Sequence, residues 1–109
     1  MIVLSSTIGY VKHNRARLKE GKREETKKML QSFFDQLEGK VTGMKGYMIL
    51  DNANDTQDSL VLTFWETKQD MDTFYHPSNK ALVEFVDKAK ITMEQLPQRT
   101  DYLVVKYKL

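Results

Sequence analysis

From Leu60 to Trp65 both alternations of the chain are apolar. In an extended segment Leu60, Leu62 and Phe64 take one face and Val61, Thr63 and Trp65 the other. A strand that is apolar on both faces must be covered on both faces. Around it the pattern switches between periods. Residues 10–19 read as a strand with Asn14, Ala16 and Leu18 on one face and His13, Arg15 and Arg17 on the other. Met29, Leu30, Phe33, Phe34 and Leu37 recur at helical spacing and predict a helix over 22–37, stopped by Gly39. A strand follows at 47–50, a turn rich in Asn and Asp at 51–58, and the two-faced strand at 59–66. Thr67 caps a short helix that Pro77 ends. Ser78 opens a second helix over 79–94, with Leu82, Phe85, Val86, Ala89 and Met93 as its stripe, and Pro97 closes that element. A last strand takes 101–108, and residues 1–9 form a strand extension or an arm.

The order strand, helix, strand, strand, helix, strand is α+β. It predicts a ferredoxin-like βαββαβ fold with a four-stranded antiparallel sheet and helices on one face. The apolar second face then calls for another sheet stacked upon it. The economical solution is a homodimer whose two sheets close into a barrel, a dimeric α+β barrel with the helices outside.

At 109 residues the chain is a single domain, residues 1–109. With no cysteine it has no disulfide, thiolate metal site or cysteine nucleophile, and the compartment this points to is cytoplasmic. No segment approaches the length of a membrane-spanning helix, and the N-terminus lacks the charged start of a signal peptide. The net charge of +2 says little, but residues 12–28 carry eight Lys or Arg against three acids. That excess could attract nucleic acid. A solvated strand edge and first helical turn explain it more simply, and KGYMIL at 45–50 lacks the aromatic pattern of an RNA-binding sheet. No nucleic-acid or membrane partner is expected. His13 and His76 have no ligand spacing, and Asp51, Asp55 and Asp58 lack the glycine and glutamate of a calcium loop, so no metal is expected.

Two blocks, NRARLKEGKREE at 14–25 and the strand–Trp–helix segment at 59–75, resemble the antibiotic biosynthesis monooxygenase domain. The resemblance spans about residues 10–108 and implies the same dimeric barrel. It also implies a choice of activities: cofactor-free oxidation of quinols and anthrones by oxygen, haem degradation, or no catalysis at all. For haem degradation Asn14 matches the family's first-strand asparagine. Phe74 stands where that branch has its tryptophan, and Glu84 where it has the axial histidine. Other members carry histidines where this chain has Phe74 and Asn79. What the resemblance implies is therefore a cofactor-free monooxygenase, with Trp65 where quinol-oxidising members place an aromatic beside the substrate. The alternative is a non-catalytic ligand-binding or structural dimer.

Such chemistry needs an apolar cleft that excludes water and a few donors to steady an anion. Asn14, Trp65 and His76 are the candidate catalytic residues, His76 as a general base. Phe33, Phe64, Phe74 and Tyr75 are the candidate lining for a small aromatic molecule. Each has a plainer reading as well: Asn14 bonded to backbone, Trp65 and the phenylalanines as core, His76 as a loop histidine.

Overall fold

The computed structural model describes residues 7–109, so the expectation for the N-terminal segment lies, over residues 1–6, outside the described residues. The elements are β1 (Tyr10–Leu18), α1 (Arg23–Leu37), β2 (Met44–Asp51), β3 (Asp58–Trp65), α2 (Lys68–Phe74), α3 (Lys80–Ala89) and β4 (Met93–Leu103). The sheet runs β2-β3-β1-β4 with every neighbouring pair antiparallel, and the expected βαββαβ fold is what forms.

Register puts the two faces of the sheet in rows. Under the helices Ile49, Val61, Asn14 and Arg99 form one row, and Tyr47, Thr63, Lys12 and Asp101 the next. On the open face Gly46, Phe64, Val11 and Tyr102 form one row, and Met48, Leu62, His13 and Thr100 another. The helix-covered face is closed by Leu30 and Phe34 from α1 over Val61, and by Leu82 from α3 beside Trp65, Met71 and Phe74. On the open face Leu60, Leu62 and Phe64 are half-buried, while Met48 and Leu50 are exposed.

Several boundaries depart from expectation, and β2 begins three residues early, at Met44. Helix α3 stops at Ala89, and a short 3₁₀ turn, Lys90–Thr92, leads directly into β4. The buried Thr92 sets this corner. Its hydroxyl donates to the Ala89 carbonyl at 2.8 Å, and its carbonyl accepts from the Lys19 amide at 2.8 Å, which draws the next residue into the sheet. Met93 therefore opens a strand instead of ending a helical stripe. Pro97 does not close an element. It lies inside β4, where the pairing slips between Arg15 opposite Gln98 and Arg17 opposite Gln95. One extra residue on β4 makes a bulge there, and an edge strand with a bulge tolerates a residue without an N–H. The last strand accordingly covers Met93–Leu103, and residues 104–109 lie beyond it. The α3 cap is Asn79, not Ser78; its side chain accepts from the Leu82 amide at 3.5 Å.

The β2–β3 hairpin is wound around one guanidinium. Arg23 donates to the carbonyls of Asn52 at 2.8 Å and Asp55 at 2.7 Å. Arg15 holds Asp58 in two bonds of 2.9 and 3.1 Å, and this pairing keeps that carboxyl below its ordinary range.

Candidate functional site

Between the sheet and helices α1 and α3 lies a narrow cleft with a cavity volume of about 60 Å³. Its walls are aromatic and aliphatic. Phe33 stacks on Phe85 with ring centroids 4.3 Å apart, and Leu30, Phe34, Val61, Phe74 and Leu82 complete the lining. Its polar end is made by Asn14, Tyr75 and Arg99.

Each of these three is placed by its element. Asn14 and Arg99 face each other because β1 and β4 are paired at those positions. Tyr75 is the residue that ends α2; its amide reaches the Met71 carbonyl at 3.1 Å. Thr67 caps the start of that helix by accepting from the Asp70 amide at 3.1 Å. Asn79 ties its end to α3, donating to the Phe74 carbonyl at 2.8 Å.

The side chains form one hydrogen-bonded chain. The Trp65 indole N–H donates to the Thr63 hydroxyl at 2.8 Å, and Thr63 Oγ1 lies 2.9 Å from Tyr75 Oη. The Asn14 amide donates to Tyr75 Oη at 3.1 Å and to the Val61 carbonyl at 3.1 Å. Its Oδ1 accepts from Arg99 Nε at 3.2 Å.

Proton balance gives this chain a direction. An indole N–H can only donate, so Thr63 accepts from Trp65. If Tyr75 also donated to Thr63, the fully buried Thr63 hydroxyl proton would have no acceptor among the described residues, an arrangement that costs about 1–3 kcal/mol. With Thr63 as donor the bonds run from Trp65 to Thr63 to Tyr75, Asn14 donates to the same phenol oxygen, and the one proton left without a partner is that of Tyr75, which lines the cleft. Tyr75 then keeps its own proton for the cleft. Burial pushes the Tyr75 pKa up, against the hydrogen bonds of Thr63 and Asn14 and the charge of Arg99, which lower it. The group is a neutral donor at physiological pH.

Two cations flank the Tyr75 ring, Lys12 Nζ at 4.7 Å and Arg99 Cζ at 4.9 Å from its centroid. Lys12 is buried and paired with Asp101 at 2.5 Å.

Of the residues expected to form the site, Asn14, Phe33, Phe74 and Tyr75 meet in this cleft. The other three stand elsewhere. Trp65 is wholly buried behind Phe74 and Tyr75, with its N–H committed to Thr63, so it backs the cleft without lining it. Phe64 is on the opposite face of the sheet, beside Gly46. His76 is exposed at the α2–α3 turn, where its Nδ1 accepts from the Ser78 amide at 3.1 Å. Sequence reading missed Lys12 and Arg99. Lys12 shares the alternation of Asn14, Ala16 and Leu18, which was signal enough. Arg99 was hidden by taking Pro97 as a terminator. Among the described residues no cluster of three His, Asp or Glu side chains could hold a metal ion, and no helix is long and apolar enough to cross a membrane.

No protein-family model matches the chain, and no curated protein matches it. Solved structures do. A monooxygenase from the gene ActVA-Orf6 of Streptomyces coelicolor, in complex with nanaomycin D, superposes with a TM-score of 0.79 at 10% identity, over 94% of this chain and 92% of that one. A provisionally named antibiotic biosynthesis monooxygenase from Nitrosomonas europaea gives 0.76 at 19% identity, over 94% and 96%. A second Nitrosomonas europaea protein, NE2512, of unknown function, gives 0.77 at 13% identity, over 96% and 97%. The chain has the fold of the antibiotic biosynthesis monooxygenases, the family that its 14–25 and 59–75 blocks resemble.

Proposed function

We propose that this protein is a small monooxygenase that binds a flat quinol- or anthrone-type molecule in the cleft and oxidises it with molecular oxygen, without a cofactor. The single observation that carries this reading is the Tyr75 hydroxyl, bonded to Asn14 and Thr63 at the polar end of an aromatic-walled cleft. The complex of the Streptomyces coelicolor monooxygenase with nanaomycin D supports a small-molecule ligand on this fold. The reaction needs an electron-rich carbanion or phenolate, which reduces oxygen itself. For an anthrone, the ring CH₂ and O₂ become a ring carbonyl and water. The four electrons leave the carbon, one oxygen atom stays on it, and the other departs with both hydrogens. The protein's part is to seat the ring, exclude water and hold the developing anion by a hydrogen bond from Tyr75. Asn14 acts as a positioning residue, because both of its N–H bonds are already used on Val61 and Tyr75.

The reading extends to a homodimer through the open sheet face, whose apolar rows need a cover. The test is oxygen uptake and quinone absorbance with a dihydroxyanthrone. Turnover above the spontaneous rate, reduced about tenfold or more in Tyr75→Phe, is expected from loss of one oxyanion donor. A second reading, a ligand-binding protein without turnover, is favoured by the full commitment of Asn14 and Trp65 to internal bonds. Tight binding of the anthrone with no rate above the blank would establish it.

A further inference from the structure

Arg99 is the charged member of the polar end, and its bonding is unfinished. Its Nε donates to Asn14 Oδ1 at 3.2 Å and its guanidinium lies over the Tyr75 ring, 4.9 Å from the centroid. Its two terminal nitrogens make no hydrogen bond, and no carboxylate pairs with it, among the described residues. The neighbouring cation is different: Lys12 is neutralised by Asp101. The Nε bond and the ring contact fix the plane of the guanidinium, so its outer edge is a fork of donors at the mouth of a largely apolar cleft. Such a fork fits an oxyanion in two parallel bonds, and Tyr75 offers one further donor beside it.

We propose that the cleft selects aromatic ligands carrying an anionic oxygen group, a carboxylate or an ionised phenol, and that Arg99 is the residue that determines this selectivity. The inference rests on the cleft being the aromatic-ligand site, but not on turnover. A neutral ring of the same size would fill the apolar walls and leave the guanidinium fork in water. An anionic one would exchange water for charge-assisted bonds at the cleft's rim, where salt screens the attraction only in part.

The experiment is calorimetric titration of the full-length protein with hydroxynaphthoate and with naphthol, which differ by one carboxylate. The expected result is at least about tenfold tighter binding of hydroxynaphthoate at low salt, a preference that shrinks as salt is raised. Arg99→Gln should reduce the preference to within about twofold, and Arg99→Lys, which keeps the charge but not the fork, should restore part of it. Arg99 is exposed at the mouth and gives up only one surface hydrogen bond and a ring contact, so both variants should unfold within about 5 °C of the parent. Equal binding of the two compounds by the parent would overturn the selectivity and leave the aromatic cleft standing. A preference that survives in Arg99→Gln would overturn the role of Arg99. Binding of neither compound would overturn the cleft reading and this inference with it.

Discussion

Asn14 does its work through its neighbours. One amide group joins β1 to the Val61 carbonyl, steadies the Tyr75 hydroxyl and orients Arg99. Asn14→Ala should therefore lower both stability and rate: about 1–3 kcal/mol in chemical denaturation, from the donor that the Val61 carbonyl and the Tyr75 phenol oxygen each lose, together with a fall in anthrone oxidation. A stability loss with no change in rate would mark it as structural alone. Tyr75→Phe separates the phenol from its ring. Because burial raises the folded-state pKa above 10.0, Tyr75 contributes stability that is complete below pH 10 and is lost as pH rises through the folded value. The variant should show a shallower loss of melting temperature on the alkaline side than the parent. At this scale the sequence was partly legible. Alternation turned Asn14 inward correctly, since period two admits no other choice within a strand. It could not place Phe64 or His76 in the site. Phe64 sits one residue from Trp65 and therefore on the other face, and His76 lies past the end of a helix, where no period applies.

Elements came through where their punctuation was simple. Gly39, with a φ of +73°, ends α1 as expected, and Thr67 caps α2. They failed where one residue type admits two readings. Pro97 marks a bulge within an edge strand here, and the helical stripe ending at Met93 continued into β4 because a buried Met serves helix and strand alike. The price of that misplaced boundary was Arg99, which faces Asn14 only when β4 begins at Met93. Gly43 is a position the fold constrains tightly. Its φ is +77°, and a Cβ there would strike the Asp70 side chain at the start of α2. Gly43→Ala should cost roughly 1 kcal/mol or more, read as a lower denaturation midpoint. In a double-mutant cycle the loss should be smaller on an Asp70→Gly background, which removes every clashing side-chain atom but leaves the strained backbone.

The whole molecule presents one sheet with two uses. Helices cover one face, and on the other Val11, Leu60, Leu62 and Phe64 lie in adjoining rows with the exposed Met48 and Leu50. Leu62→Lys places a charge in the middle of that face, paired with Met48 and His13 and far from the cleft lining. In light scattering the parent should have the mass of two chains and the variant that of one, with the helical circular dichroism unchanged; a monomeric parent would refute the dimer. The double alternation of β3 is legible in composition alone, and on the open face it places Leu60, Leu62 and Phe64, which are half-buried in the single chain. The same arrangement sets how two copies would work together. Adjacent residues of β1 serve opposite sides, Asn14 the cleft and His13 the open face. Copies joined through their open faces would hold their clefts back to back, pointing outward, with two sheets about 10 Å apart between them. Neither would lend a side chain to the other's ligand, so a mixed pair with one defective copy would retain half the activity of the intact pair, each half unaware of its twin.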